Sequence, residues 1–160
     1  PTLQHGQQTL VQSMAILEYL DEAFPEAPLL PPDAAGRARV RGLAQLVACD
    51  VHPLNNLRVM QYLERSLEVP AEARTAWTLH WMAQGLGALE SMLAASPATG
   101  TFCHGEQPGL ADACLVPQLY NARRFSLDLA PYPLLQQVEA ACLALPAFDA
   151  ARPERQADAA

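Results

Sequence analysis

The stretch Cys49-Asp50-Val51-His52-Pro53-Leu54-Asn55-Asn56-Leu57-Arg58 lies inside a helical pattern that runs from about Asp33 to Ser66. At about 100° per residue, its apolar residues share one stripe and predict a core-facing side: Leu43, Leu46, Val47, Leu54 and Leu57. His52 and Asn56 lie one turn apart on the opposite side, with Asn55 and Arg58 as a second pair beside them.

Two residues interrupt this pattern. Asp50 projects from the apolar stripe, where we expect a capping or pairing role within the core, because a buried lone carboxylate is very costly. Pro53 removes a backbone bond in the helix interior and predicts a kink. The polar side is either a solvated face with a structural bend or a shaped ligand surface, and the pattern alone leaves both interpretations open.

The bulk properties narrow the function classes. The 160 residues suit one compact domain, or a domain with a fragment of another. The net charge of -7, with all ten basic residues arginine, argues against nucleic acid and membrane surfaces as partners. Four scattered cysteines have no metal-ligand spacing, so we expect no metal site and buried, inert thiols in a reducing cytoplasm.

The chain begins with a pattern of two short strands, Thr2–Gln4 and Gln8–Val11, around a His5-Gly6-Gln7 turn. Two strands alone are barely stable, and the first residue is proline, so we expect the natural start to be missing and the intact mass to exceed 17.3 kDa. Ser13 is a predicted N-cap for a helix to about Phe24. The proline-rich segment that follows is the predicted domain boundary, between residues 1–27 and 33–160.

The remainder predicts an all-helical bundle. Asp33 is the expected cap of the long central helix, and Pro70 the expected first residue of the next, which reaches about Ala95 with two core tryptophans. Gly85 and Gly87 in that helix suggest a close helix contact. A helix from about Gly109 to Arg124 is apolar on most sides and should be buried centrally, with Asp112 accepting from its first turn. A last helix runs to about Leu145, where Pro146 should end it.

Several motifs resemble the glutathione transferases, in which a thioredoxin-like domain precedes an all-helical one. Gln12-Ser13-Met-Ala-Ile-Leu-Glu-Tyr-Leu is similar to the segment that binds the γ-glutamyl end of glutathione in that family, and Pro1-Thr2-Leu3 to its cis-proline segment. Gly109-Leu-Ala-Asp112 is similar to its helix-capping motif, with glycine in place of serine or threonine. The implied fold class is mainly α, with the β-β-α end of a thioredoxin-like domain before the helical domain.

Within that family, His52-Pro53-Leu-Asn-Asn56-Leu-Arg58 and Leu115-Val-Pro117-Gln-Leu-Tyr-Asn-Ala-Arg-Arg124-Phe resemble the zeta class. That class includes the maleylacetoacetate isomerases and the bacterial maleylpyruvate isomerases. His52-Pro53, where many members have Gln-Pro, favours the maleylpyruvate branch. The class's Ser-x-Cys signature belongs before Pro1, so the thiol-activating catalytic residues are unknown.

The resemblance implies roles for six residues. Gln12, Ser13, His52 and Asn56 are the predicted glutathione ligands, because a helix start, amides and a histidine suit a peptide-like anion. Arg58 and Arg124 are the predicted substrate ligands, since arginine holds carboxylates bidentately and a maleyl keto acid carries two. The alternative for each is structural: a plain N-cap, a surface histidine, or cations on a helix surface and at a helix end.

The implied activity is a glutathione-dependent cis–trans isomerisation of maleylpyruvate to fumarylpyruvate in gentisate-type aromatic catabolism, by a cytoplasmic homodimer. The alternatives are a maleylacetoacetate isomerase, a zeta-class transferase that conjugates halogenated acids, and a non-catalytic interaction module on a reused fold.

Overall fold

A computed structural model describes residues 1–157 and 159. The chain begins with the predicted hairpin of β1 (Thr2–His5) and β2 (Gln8–Val11), antiparallel with Thr2 opposite Val11 and His5 opposite Gln8. Gly6 has a φ of 59°, a left-handed value that glycine adopts without strain in a two-residue turn. The two strands pair only with each other within the described residues.

Helix α1 (Ser13–Ala23) differs from the prediction at its start. Ser13 is the first helical residue rather than the cap, and Gln12 before it takes the N-cap position with a φ of 75°. No side chain in the part of the chain that the structure describes caps this helix. Instead α1 is tied to the rest of the chain from its outer face. Glu18 accepts two hydrogen bonds from Arg41, and the Asp21 carboxylate accepts the backbone N–H groups of Leu29 and Leu30.

The helical segment predicted from Asp33 to Ser66 is interrupted at its centre, and the interruption at Pro53 is larger than the predicted kink. Helix α2 (Ala34–Gln45) begins as predicted, with the Asp33 carboxylate accepting from the Gly36 N–H at 2.7 Å. A π-helical turn (Leu46–Val51) and a 3₁₀ turn (His52–Asn55) follow, and the chain becomes extended at Asn56 before α3 (Leu57–Arg65).

The physical reason for the break is Pro53, which has no N–H to donate. Before the proline the helical turn is the wider π form, in which His52 N–H bonds to the Val47 carbonyl five residues back. At the proline it changes to the tighter 3₁₀ form. The resulting rotation corrects three further expectations. Asp50 is exposed rather than paired in the core, Cys49 is exposed rather than buried, and Leu57 is 70% exposed.

Helix α4 (Ala71–Ala94) packs against the broken segment and begins after Pro70, which is the residue before the helix rather than its first residue. A Cβ added at Gly85 would lie 2.0 Å from Val51 Cγ2, so glycine is required for this contact, whereas Gly87 has ordinary space. Trp77 and Trp81 are half-buried rather than fully in the core, and they contact each other edge to face.

Helix α5 (Leu110–Arg124) is the buried central helix, as predicted, with Leu110, Leu115 and Leu119 at most 1% exposed. The Asp112 carboxylate accepts the N–H groups of Gly109 and Cys103. A side chain at Gly109 would clash with the Leu29 carbonyl, which accepts from Leu110 N–H. Glycine at this position therefore allows the proline-rich segment around Leu29 to pack against the start of α5.

Helix α6 (Pro133–Leu143) completes the bundle, and its first turn is capped from α4 by the Glu90 carboxylate, which accepts from Leu134 and Leu135 N–H. Pro146 does not end this helix. It begins a short α7 (Pro146–Ala150), since proline suits the first turn of a helix. None of the helices among the described residues is both long and apolar enough to cross a membrane.

Candidate functional site

A cavity of about 770 Å³ lies between α1, the broken segment and α5. One face of α5 forms a wall, with residues recurring at helical spacing from Cys114 to Phe125. The opposite side comes from the π and 3₁₀ turns, α3 and the start of α4. The break that Pro53 imposes therefore shapes the cavity, because residues of the 3₁₀ turn line it.

The start of α1 supplies the first candidate residues. Ser13 lines the cavity, and the first N–H groups of an α-helix have no partner within it. The helix dipole also favours an anion there, and no side chain of residues 1–157 or 159 takes that place. Gln12 lies beside the cavity rather than in its lining. Its φ of 75° with ψ of 126° is a conformation that residues other than glycine rarely adopt, and such strain is concentrated at ligand sites.

His52 and Asn56 both line the cavity. His52 is exposed at the start of the 3₁₀ turn, with its ring free to meet a ligand. Asn56 has a structural role that the sequence analysis missed, because its side-chain oxygen accepts from Arg58 N–H at 3.1 Å and caps α3. Its Nδ2 group remains available as a donor, so the cap and a ligand contact are compatible.

The arginines at the end of α5 differ in role. Arg123 donates two hydrogen bonds to the Glu139 carboxylate, which is only 4% exposed, and this partner raises the pKa of Arg123. Arg124 lines the cavity and forms no ion pair within the described part of the chain. Of two adjacent cations, one is thus used by the fold and the other faces the cavity.

Arg58 lies apart from the other candidates. Its side chain is exposed and outside the cavity lining, and only its backbone contacts the site, through the Asn56 cap. The cavity thus brings together Ser13, His52, Asn56 and Arg124, whereas Gln12 and Arg58 lie at its edge.

Two lining residues were not predicted as site residues. Asn55 presents an amide nitrogen and oxygen that are buried and have no hydrogen-bond partner among the described residues, and Gln118 Nε2 is in the same state. For Gln118, the available signal was a polar side chain within the apolar stretch from Ala113 to Leu119. Cys114 also lines the cavity, but burial raises the pKa of its thiol to about 11, so it is protonated and a poor nucleophile at neutral pH.

The chain is similar to several proteins of known function. The chain is 48% identical over its whole length to a maleylpyruvate isomerase of a Ralstonia species, of which it covers 76%. A holo structure of a maleylpyruvate isomerase, described as a bacterial zeta-class glutathione transferase, superposes with a TM-score of 0.97 at 48% identity, over 100% of this chain and 76% of that one.

A third similar protein was solved with ligands. It is a maleylacetoacetate isomerase from Anaeromyxobacter dehalogenans, with dicarboxyethyl glutathione and citrate in its active site. Its TM-score is 0.91 at 50% identity, over 99% of this chain and 73% of that one. No family model matches the chain. The chain thus spans about three quarters of the length of these relatives.

Proposed function

Because the chain belongs to the zeta-class glutathione transferases that include the maleylpyruvate and maleylacetoacetate isomerases, we propose that it isomerises maleylpyruvate to fumarylpyruvate with glutathione as cofactor. The observation that carries the proposal is the 48% identity to a maleylpyruvate isomerase over the whole chain. The setting would be gentisate-type aromatic catabolism in the cytoplasm. Maleylacetoacetate isomerisation is the second candidate, favoured by the likeness to the Anaeromyxobacter enzyme.

The residues present fit glutathione. The uncapped start of α1 with the Ser13 hydroxyl offers several donors to a carboxylate, and Gln12 at its edge adds an amide. His52 and Asn56 would hold the peptide part from the opposite wall. When bound, glutathione supplies a thiolate that adds to the cis double bond and leaves after rotation about the resulting single bond, so no atom is gained or lost.

The chain's own residues would bind and orient the keto acid. Arg124 has the free fork that a bidentate carboxylate contact needs, and it stands at the cavity wall. Arg58 follows Leu57, which lines the cavity, and we propose that its exposed side chain binds the second carboxylate. Holding the substrate at both ends fixes the double bond relative to the nucleophile, which lowers the entropic part of the barrier.

The proposal also covers the division of the chain into domains and its oligomeric state. Residues 1–27 would be the end of the glutathione-binding domain and residues 33–160 the helical domain, with the linker between them. The protein would act as a homodimer, in which the thioredoxin-like domain of one subunit faces the helical domain of the other, as the resemblance to the family implies. Sedimentation at micromolar concentration should give the dimer mass, and a clean monomer would contradict it.

The proposal is tested by steady-state kinetics with both substrates varied. Arg124→Ala and Arg58→Ala should each lose about 2–4 kcal/mol in kcat/KM for maleylpyruvate, because alanine removes a charge-assisted pair. Glutathione affinity should stay within a few-fold, whereas His52→Ala should weaken glutathione more than the keto acid. Arg65→Ala is the matched control, an exposed arginine of α3 outside the cavity lining.

Each other outcome favours a different function. Faster turnover of maleylacetoacetate would assign the second candidate. Conjugation of a dichloroacid without isomerisation would indicate a transferase, and failure to bind glutathione would indicate an interaction module. If either arginine variant keeps wild-type kcat/KM, the role proposed for that arginine is wrong.

A further inference from the structure

Two amide side chains in the cavity have donors without acceptors. Gln118 is 3% exposed, and its Nε2 is buried without a hydrogen-bond partner in the described part of the chain. Both polar atoms of the Asn55 side chain are in the same condition. The two residues come from opposite walls, Asn55 from the 3₁₀ turn and Gln118 from α5, and both line the same space.

The backbone around each amide is held firmly. Trp77 Nε1 donates to the Leu54 carbonyl at 2.9 Å, immediately before Asn55, and Asn56 immediately after it caps α3. Gln118 lies in the most buried helix of the bundle. It precedes Arg124 by six residues, which is about 9 Å along a helix axis. A molecule bound by Arg124 at one end can therefore extend along α5 towards Gln118.

Such an arrangement is costly unless a ligand uses it. A buried donor without an acceptor destabilises the fold, and replacing it by an apolar group of the same shape is neutral or stabilising. Folded proteins leave few such groups, and a functional role is one of the usual reasons. Neutral amide donors are also the groups that stabilise an oxygen which gains negative charge only during a reaction. Permanent carboxylates are better served by the arginines.

We propose that the Asn55 and Gln118 side chains turn into the cavity when substrate binds, so that Nδ2 and Nε2 leave their buried positions and donate hydrogen bonds to the ketone oxygen that is conjugated with the cis double bond of the substrate. This inference rests on the proposed function. Addition of a nucleophile to the far alkene carbon moves the π electron pair onto that oxygen, and the same pair re-forms the double bond when the nucleophile leaves. No oxidant, reductant or net proton is required. Maleylpyruvate and maleylacetoacetate both carry this ketone, so the assignment holds for either.

The test compares Gln118→Met and Asn55→Leu with the wild-type protein. Each variant should lower kcat about 100-fold with little change in KM, as the loss of one oxyanion donor does. The melting temperature should stay the same or rise, because an unpaired buried amide is removed. A residue that only supports the fold would give the opposite pattern, with a lower melting temperature and nearly normal kcat. The double variant should lose less than the product of the single effects, since both donors act on one oxygen.

The matched control is Gln136→Met. Gln136 Nε2 donates to the Leu129 carbonyl at 2.8 Å and lies outside the cavity lining. This variant should keep wild-type kcat and lose a little stability, because it breaks a satisfied hydrogen bond.

A binding measurement without glutathione gives a readout independent of turnover. The probe is succinylpyruvate, the saturated analogue, labelled with ¹³C at the ketone next to its saturated carbons. Its carbonyl resonance should shift downfield on binding to the wild-type protein and shift less in Gln118→Met. An unchanged shift and kcat in Gln118→Met would overturn the inference. If the wild-type protein fails to isomerise either maleyl keto acid, the proposed function itself has failed, which is a separate result.

Discussion

Helices α1 and α5 begin in opposite ways. At the start of α5, the Asp112 carboxylate is 1% exposed and accepts N–H groups from Gly109 at 2.8 Å and from Cys103 at 2.9 Å. At the start of α1, no side chain among the described residues takes that place, and Gln12 holds a φ of 75°. The protein's own groups close the start of α5, where the Leu29 carbonyl also accepts from Leu110 N–H. The start of α1 has no such partner in the part of the chain that the structure describes, and Ser13 lines the cavity there.

The difference shows how a structural helix start can be told from one that serves a ligand. A helix start whose N–H groups are bonded within the protein holds the helix to neighbouring segments. Asp112, for example, joins α5 to the loop that precedes it. An unsatisfied and strained start costs stability, and such starts are concentrated where a ligand completes them. The two starts should therefore respond to mutation with opposite changes in stability and binding.

The largest effect is expected for Asp112→Ala. The substitution removes a charge-assisted acceptor and leaves two backbone N–H groups without their partner, which should lower the free energy of unfolding by about 3 kcal/mol. Urea unfolding followed by circular dichroism measures it. Asp128→Ala is the control, because Asp128 accepts only from Ala130 N–H at the surface and should cost about 1 kcal/mol or less.

A loss of less than 1 kcal/mol in Asp112→Ala would show that α5 does not depend on this carboxylate. The start of α5 could then not be described as a structural helix start that its own carboxylate stabilises.

The sequence predicted this satisfied start better than the open one. A carboxylate three residues after a glycine, before an apolar run, indicates a helix start whatever surrounds it. The hairpin, the Asp33 cap and the buried α5 were predicted for the same reason, since each follows from local pattern. Ser13 looked like an equally good cap, and it failed because the chain before it adopts a strained turn that propensity does not reveal.

The centre of the cavity was least accessible to sequence reasoning. Pro53 predicted a kink, but not that a π turn and a 3₁₀ turn would share it and expose Asp50 and Leu57. Asn55 and Gln118 were missed because an unpaired buried amide can be recognised only once the surrounding atoms are placed. Of the four residues that the cavity brings together, His52 and Asn56 were first paired by helical periodicity, whereas Ser13 and Arg124 became candidate site residues through family resemblance.

A smaller effect of opposite sign is expected for Gln12→Gly. Glycine adopts a positive φ without strain, so the free energy of unfolding should rise by about 1 kcal/mol. Glutathione affinity should nevertheless fall several-fold, because the proposed amide contact is lost. Calorimetry gives both quantities.

Glu68→Gly is the matched control for this prediction. Glu68 also has a positive φ, 50°, but it is exposed outside the cavity lining. It should gain stability and keep glutathione affinity. If Gln12→Gly binds glutathione as the wild type does, Gln12 is strained for a reason other than this ligand.

The smallest effect concerns how α1 stays in place without a cap. Arg41 donates two hydrogen bonds to the Glu18 carboxylate, at 2.6 and 2.7 Å, and these lower the pKa of Glu18. A carboxyl whose pKa is lower in the folded state stabilises the fold above its unfolded value, near 4.3. That contribution is lost as the pH falls through the lowered folded value.

At pH 7, Glu18→Gln should therefore lower the melting temperature by about 2 °C or less, because the pair is partly exposed. The difference from wild type should shrink as the pH falls below 4. Glu22→Gln, at an exposed position on the same helix that accepts no hydrogen bond from Arg41, should change the melting temperature at pH 7 by less. A Glu18→Gln difference that stays constant from pH 7 to pH 3 would mean that the ion pair does not hold α1, and that the hairpin and the Asp21 contacts suffice.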